Sequence, residues 1–359
     1  MDLLDYYLNT PPHNDFYITR KVSLPTEYSY NLYGVRGSGK STMVIDFLEE
    51  HNDINTLYID CEDPHLYFQT IKKETLQQFL IMHHIERLVI DHYRFELFEI
   101  LPSVRQLIVI SRTPLCLKQL TGIELFPLDY EEFLAFENHT IANKGFNHFL
   151  RSGTLPLLAK SQKNIPIQMK YFLQHKFNDA EQKLLLILAQ HHTNHVTIHQ
   201  LYTFAKERFK VSKDWLYKTI KNFQEEKLIF FIADVHQKAG KKLILFDFAF
   251  AKYLSLGKPF FVQFDTMIAL AFMKHHIEIQ TLGKYGYITK DKELIIPAPF
   301  ESEESLWVKS QNHFSLFKKY HIQKVTIITV ANHFQYTIEK VQFEALPFDE
   351  WSVINQEEG

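Results

Sequence analysis

The sequence predicts a protein of several domains that begins with an α/β domain built on a parallel sheet and ends with an α+β domain. Two observations predict the α/β domain. A glycine-rich stretch at 34–41 separates a strand-like run from a helical pattern, and three short apolar runs follow at the spacing of alternating strands and helices. A third observation, three helical patterns followed by two strand-like runs within 179–246, marks a separate middle domain. A chain of 359 residues commonly forms two or three domains.

Composition and charge narrow the class of protein. The formal net charge is −3, so no global basic field attracts nucleic acid, and any such binding has to come from a local patch. The two cysteines, Cys61 and Cys116, cannot build a disulfide framework and suit a reducing compartment. The first residues lack the apolar run of a signal peptide, and no stretch of about 18 apolar residues is present. The sequence therefore predicts a cytoplasmic protein with no membrane partner.

The glycine-rich stretch has the pattern G-x-x-x-x-G-K-S, with a strand-like run at 28–33 before it and an amphipathic helical pattern at 42–50 after it. Glycines let backbone N–H groups approach phosphate oxygens, and the helix N-terminus adds a partial positive charge. We expect Lys40 to pair with the β- and γ-phosphates, the Ser41 hydroxyl to ligate Mg²⁺ and Thr42 to lie near the α-phosphate. The stretch is thus predicted to be a P-loop that binds ATP with Mg²⁺. The sequence has no guanine-reading Asn-Lys-x-Asp motif, which favours ATP over GTP by default. The predicted nucleotide-binding residues are Gly34, Gly37, Ser38, Gly39, Lys40, Ser41 and Thr42.

Three apolar runs, 56–60, 87–91 and 106–111, end in the polar residues Asp60, Asp91 and Ser111. Ligands of parallel sheets bind just beyond the carboxyl ends of the strands, so these three side chains are predicted to lie at the functional edge. Asp91 is predicted to be the Walker B aspartate, which would hold Mg²⁺ through water together with Ser41.

Ser111 and Arg112 follow the last of these strands. Ser111 is predicted to lie between Asp91 and the γ-phosphate, as a sensor side chain. Arg112 either reaches a phosphate of the same or of an adjacent subunit or lies in solvent.

His92 occupies the position after Asp91, where ATPases of this class usually have the glutamate that polarises the attacking water. A histidine can act as a base near neutral pH. Glu62 and Glu96 are alternatives for this role, although each also suits an ordinary surface carboxylate. The sequence therefore predicts nucleotide binding, with hydrolysis slow. The predicted catalytic residues are Lys40, Asp91, His92, Ser111 and Arg112, and the predicted metal ligands are Ser41 and Asp91.

The middle region has helical patterns at 179–189, 197–206 and 212–223, the last two capped by Thr197 and Ser212, and strand-like runs at 228–232 and 242–246. Three helices followed by a hairpin is the order of a winged helix. Its lysines could contact the phosphates of DNA or another nucleic acid, or they could solvate a structural or protein-contact module. These lysines are Lys213, Lys218, Lys221, Lys238, Lys241 and Lys242.

The chain resembles a prokaryotic family of AAA-type P-loop ATPases with a winged helix and a C-terminal domain of restriction-endonuclease-like fold. Beyond the P-loop, the resemblance rests on the runs IELFPLDYEEFL at 123–134 and FLRSGTLP at 149–156, and it covers the chain from about Tyr28 to Trp351. It implies a helical lid after the α/β core. The predicted divisions are an N-terminal segment at 1–22, the core at 23–125, the lid at 126–176, the winged helix at 177–247 and a degenerate nuclease-like α+β domain at 248–359.

In the C-terminal domain, the resemblance implies an Asp and then a Glu-x-Lys on adjacent strand ends, which would bind Mg²⁺ for phosphodiester cleavage. The matching runs, 293–296 and 306–309, are both predicted as strands. Lys309 matches the family's lysine, but Trp307 stands where the second carboxylate is needed. We therefore expect an assembly or binding surface rather than a nuclease. The histidine pairs at 83–84, 191–192 and 275–276 are interpreted as surface or core residues, because adjacent histidines point in different directions.

The leading hypothesis is an ATP-dependent switch or slow ATPase. Its nucleotide state would reposition the winged helix and the C-terminal domain against a protein partner or a second copy of the chain. A hypothesis from another class is a nucleic-acid-binding regulator that keeps a nucleotide for stability. A nuclease is the third.

Overall fold

The computed structural model describes residues 3–15, 17–68, 71–137, 142–160, 164–236, 239–257 and 259–354. The chain divides into two compact units, an N-terminal unit, Met1–Pro127, and a C-terminal unit, Leu128–Gly359. The boundary falls close to the predicted end of the α/β core at residue 125.

The N-terminal unit is a five-stranded sheet with strand order β2-β3-β4-β1-β5, and every neighbouring pair of strands is parallel. The four strands predicted from the sequence are confirmed. β5 is an additional strand that its half-exposed, polar residues did not indicate. β3 and β4 are buried along their whole length, as expected for central strands covered on both faces. The elements are α1 (Leu3–Asn9), β1 (Tyr30–Tyr33), α2 (Lys40–Glu50), β2 (Thr56–Asp60), α3 (Lys73–Met82), β3 (Arg87–Asp91), β4 (Gln106–Ser111) and β5 (Thr121–Glu124).

The first helix belongs to the core of this unit. Leu3, Leu4 and Tyr7 of α1 are buried in one cluster with Leu57 of β2 and Leu88 of β3. The residues predicted as a separate N-terminal segment therefore begin with a helix that stabilises the sheet.

The C-terminal unit begins with helices and a small antiparallel sheet of strand order β6-β8-β7. The three helices and the hairpin of the middle region lie close to their predicted positions, and the Thr197 and Ser212 side chains accept hydrogen bonds from backbone N–H groups of the helices they cap. The elements are α4 (Tyr130–Glu137), α5 (Ala142–Ser152), α6 (Pro156–Ala159), α7 (Ile165–Lys176), α8 (Asp179–Gln190), β6 (His195–Val196), α9 (Ile198–Arg208), α10 (Lys213–Glu225), β7 (Ile229–Ile232), β8 (Lys241–Leu245) and α11 (Phe248–Leu254).

The remainder of this unit is α+β, with a six-stranded sheet of order β13-β14-β12-β11-β10-β9. The pairs β11–β12 and β12–β14 are parallel, and the other pairs are antiparallel. The elements are α12 (Phe260–Lys274), β9 (Ile279–Thr281), β10 (Tyr287–Thr289), β11 (Glu293–Pro297), α13 (Glu303–Asn312), α14 (Phe314–Lys319), β12 (Lys324–Thr329), β13 (Phe334–Ile338), β14 (Val341–Pro347) and α15 (Phe348–Ile354).

The predicted strand at 306–309 is wrong, because these residues lie inside α13. The Ser302 side chain caps this helix, and acidic residues fill its first turn, where the helix dipole favours them. Leu306 and Ser310, one turn apart, are the buried positions. Lys309 therefore lies on a helix, where it pairs with Glu301, and not at the end of a strand. Residues 306–309 therefore do not form the strand end on which the nuclease-like site was predicted.

Four helices, α3, α10, α12 and α14, end in the same way. The residue after the C-cap has a left-handed backbone, with φ between 52° and 60°, although it is not glycine. The next residue is an isoleucine or leucine whose N–H bonds the carbonyl of the helix residue five positions earlier, as in a Schellman motif. The left-handed residues are His84, Lys227, His276 and His321. Two of the histidine pairs, 83–84 and 275–276, thus lie at helix ends.

Asp247 connects two segments of the C-terminal unit. It caps α11 by accepting the Phe250 N–H at 2.7 Å, and its other carboxylate oxygen accepts the N–H and the hydroxyl of Thr154 at 2.5 and 2.7 Å. The neighbouring Gly153 has φ +75°, and a Cβ at this position would lie 2.3–2.6 Å from the Asp247 carboxylate. Gly153 therefore allows the close approach that buries Asp247.

Gly153→Ala is expected to destabilise the C-terminal unit by about 3 kcal/mol, because strain at positive φ adds to the clash with Asp247. Gly283→Ala is the matched control. Gly283 has φ +55° and no atom within 4 Å of an added Cβ, so only a backbone cost of about 1 kcal/mol is expected. Urea unfolding followed by tryptophan fluorescence measures both, and equal losses would contradict the role of Asp247. All three tryptophans lie in this unit, namely Trp215, Trp307 and Trp351.

Candidate nucleotide-binding site

The loop between β1 and α2 has the backbone that its glycines predict. Gly37 and Gly39 have φ 82° and 93°, in the left-handed region that favours glycine. Gly34 lies against the chain that follows β5, where a Cβ would be 2.3 Å from the Leu125 carbonyl oxygen. The loop can therefore turn tightly at the end of β1 and enter α2 directly.

The N-terminus of α2 is suited to an anion. The helix begins at Lys40 after the N-cap residue Gly39, which has no side chain to cap the first N–H groups, and its first turn contains no acidic residue. The Lys40 ammonium lies over the loop and donates to the carbonyl oxygens of Gly34 at 2.8 Å and Val35 at 3.0 Å. The predicted cation is thus close to the backbone that would surround a phosphate.

Two residues before β1 donate hydrogen bonds to this loop and to the start of α2. The sequence did not predict these contacts. The buried Arg20 guanidinium donates to the carbonyl oxygens of Ser38 at 3.0 Å and Phe126 at 2.8 Å. The Asn14 side-chain amide donates to the carbonyl oxygen of Thr42 at 2.7 Å. A lone arginine outside any motif carries no sequence signal for this role.

Asp91 lies at the end of β3 and is 1% exposed. Its Oδ2 accepts the Tyr58 hydroxyl at 2.5 Å, and its Oδ1 accepts the backbone N–H of His92 at 2.7 Å. Ser41 lies close to the same phenol. Burial and the Asp91 charge raise the pKa of Tyr58 well above its ordinary value, so the phenol stays protonated and donates a hydrogen bond to Asp91. The two predicted metal ligands thus both lie close to Tyr58.

His92 has a left-handed backbone, φ 49°, and its imidazole lies between two carboxylates. Nδ1 is 2.8 Å from Asp60 Oδ1, and Nε2 is 3.6 Å from Glu62 Oε2. Burial lowers the pKa of His92, but the hydrogen bond to Asp60 and the charges of Asp91 and Glu62 outweigh it, so the pKa is raised overall. Asp60, Asp91 and His92 also present ligand atoms that all lie within 4.8 Å of one another.

Ser111 and Arg112 lie at the same edge of the sheet. The Ser111 hydroxyl donates to the Thr113 carbonyl oxygen at 2.6 Å and accepts from the Asn31 side-chain amide at 2.8 Å. Arg112 donates to Glu62 Oε1 at 3.3 Å. Contact of either residue with a phosphate stays a prediction. Glu96, the other alternative base, is exposed after β3.

Comparison with known proteins supports the same interpretation of this region. Residues 27–96, from just before β1 to just beyond Asp91, match the model of a family described as an AAA domain. No curated protein matches the chain. Within the described residues, no helix has both the length and the apolar character needed to cross a membrane.

Forty-four chains of solved structures match. One is from a Drosophila ORC structure bound to AT-rich DNA and Cdc6, with 14% identity over 61% of this chain and 82% of that chain. Its TM-score is 0.18, which is too low to support a conclusion about fold or function. The family match and the parallel five-stranded sheet together identify the N-terminal unit as an α/β nucleotide-binding core of the P-loop type, similar to AAA domains.

Proposed function

We propose that this protein binds ATP with Mg²⁺ and acts as a nucleotide-dependent switch that hydrolyses ATP slowly. The observation that carries the proposal is the convergence of Ser41 and Asp91 beside the glycine loop. A hydroxyl and a carboxylate are oxygen ligands of the kind Mg²⁺ prefers, so these residues fit the ion. Ser41 would ligate Mg²⁺, Asp91 would hold it through water, and Lys40 would exchange its carbonyl partners for phosphate oxygens.

We propose slow hydrolysis because the side chains that could act as the base are bonded to other side chains. The His92 imidazole, at the position where a carboxylate base is expected, is hydrogen-bonded to Asp60. Glu62 is paired with Arg112. A general base must be within hydrogen-bond reach of the proton that it abstracts, and these side chains are already engaged with each other. A bound ATP would therefore persist, as a switch requires.

The proposed response is a change in the C-terminal unit, in which the predicted winged helix, 177–247, and the domain with the six-stranded sheet contact a partner. Hydrogen exchange with ATP, with ADP and without nucleotide, all in Mg²⁺, tests it. We expect peptides within 179–245 to exchange differently in ATP and ADP, and Lys40→Ala protein to show no difference. Identical exchange of all peptides beyond residue 127 in the three states would refute the switch.

Exposed lysines of α10 favour a second candidate, a nucleic-acid-binding regulator with a structural nucleotide. Lys213, Lys218 and Lys221 are exposed on this helix, although Lys221 pairs with Glu225. Lys242, another of the lysines that could contact phosphate, has a side chain only 14% exposed, and its ammonium lies 2.7 Å from Asp265. Lys238 lies outside the described residues. The candidate surface is thus narrower than the sequence indicates.

If this second candidate is right, Lys218→Glu/Lys221→Glu should lower DNA affinity about tenfold at moderate salt and reduce its salt dependence, because two phosphate contacts become repulsive. Fluorescence anisotropy with a labelled duplex measures this effect with and without ATP. The control is Lys170→Glu/Lys183→Glu, which reverses two exposed charges on α7 and α8. Equal losses in both variants, or no DNA binding by the wild type, would exclude α10 as a nucleic-acid surface.

A further inference from the structure

Tyr58 is a buried β2 residue that lies close to both predicted metal ligands. Its hydroxyl donates to Asp91 Oδ2 at 2.5 Å, and Ser41 lies near the same phenol. Tyr58 is 8% exposed and Asp91 1%, so the hydrogen bond between them is shielded from water. The glycine-loop pattern and the Asp91 position do not assign any role to a residue in β2.

We propose that Tyr58 is a positioning residue that fixes the orientation of the Asp91 carboxylate, and that it thereby sets how much Mg²⁺ adds to the affinity for ATP. This inference rests on the proposed function, and it names a residue that acts through the metal ligands rather than on the phosphates.

Asp91 would hold Mg²⁺ through water, so the direction in which its carboxylate oxygens point decides how well that water is held. The Tyr58 hydroxyl donates a hydrogen bond to Oδ2 of this carboxylate. A short hydrogen bond to a charged group is strong where water is excluded.

The same contact fixes the orientation of the Asp91 carboxylate. Tyr58 holds Oδ2 and the His92 N–H holds Oδ1, so the carboxylate plane is set from both sides. Each oxygen keeps a second lone pair for a water of the metal. Without the phenol, Oδ2 would lose its donor, and the carboxylate would no longer be held in one orientation.

Tyr58→Phe tests the proposal, because it removes the hydroxyl and keeps the ring. ATP affinity is measured by titration calorimetry in Mg²⁺ and in EDTA, and the ratio of the two gives the gain from the metal. We expect this gain to fall about tenfold, the effect of one hydrogen bond to a charged group. Affinity in EDTA should not change, because the loop and Lys40 do not depend on the phenol, and this value also reports an intact fold.

Tyr30→Phe is the matched control. Tyr30 is a fully buried residue of β1, another strand of the same sheet, and among the described residues its hydroxyl has no hydrogen-bond partner. Both affinities should match the wild type. An unchanged or larger gain from Mg²⁺ in Tyr58→Phe would overturn the inference, and a larger gain would mean that the phenol competes with the metal. Absence of ATP binding by the wild type in both solutions would refute the proposed function itself.

Discussion

Lys40→Ala protein is expected to bind ATP at least about 100-fold more weakly than the wild type, a loss of roughly 3 kcal/mol. The Lys40 ammonium already lies over the glycine loop, where it contacts two carbonyl oxygens. The β- and γ-phosphates would take over these contacts as charge-assisted hydrogen bonds, and alanine can make neither. Titration calorimetry in Mg²⁺ gives both affinities.

Lys73→Ala is the control for this change, because Lys73 is likewise the first residue of a helix in the same unit and is exposed. Its affinity should equal that of the wild type. A folded Lys40→Ala protein that binds ATP as tightly as the wild type would show that the loop does not bind the phosphates. Both the switch and the slow-ATPase hypotheses would then be lost.

His92→Glu is expected to raise ATP turnover on the order of 100-fold, the lower range for a positioned general base. Glutamate would place a carboxylate directly after Asp91. The charges of Asp60, Asp91 and Glu62 surround this position and would raise the pKa of the new carboxyl towards neutrality, which suits a base. Phosphate release at saturating MgATP measures the rate.

His92→Gln shows whether a faster turnover comes from the new carboxylate or only from loss of the imidazole. Glutamine also removes the imidazole from Asp60 but cannot accept the proton, so its rate should not exceed that of the wild type. If the wild type already hydrolyses ATP in a Lys40-dependent way and His92→Glu is no faster, another residue supplies the base. Glu62→Gln and Glu96→Gln would then identify it.

The core of the N-terminal unit was predictable because its signals are local. Four apolar runs of strand length are strands, and the glycine pattern lies between a strand and a helix, as its chemistry requires. Asp60, Asp91 and Ser111 do lie at one sheet edge, since strands that run parallel bring their carboxyl ends together. β5 was not predicted, because its residues lack the apolar pattern of a buried strand.

The contacts that complete the site depend on residues far apart in the sequence. Tyr58 and Asp91 are 33 positions apart, and a tyrosine in an apolar strand looks like any core aromatic until its hydroxyl partner is known. The sequence does not indicate the role of Arg20 either, since it bonds the loop through backbone carbonyls, which every residue has. Lys242 looked exposed because Asp265, its partner, comes from a different element. The error at 306–309 was avoidable, because Ser302 and the acidic residues after it are a helix-start signal.

The left-handed residues that end four helices also bear on how this protein could be made more robust. A side chain at such a position strains the backbone by roughly 1 kcal/mol, which glycine would not. The chain has only 11 glycines, and at His84, Lys227, His276 and His321 it uses larger residues instead. None of these four residues belongs to the loop, the metal ligands or their partners described above. Replacing these residues by glycine is therefore a way to raise thermal stability without altering the nucleotide site.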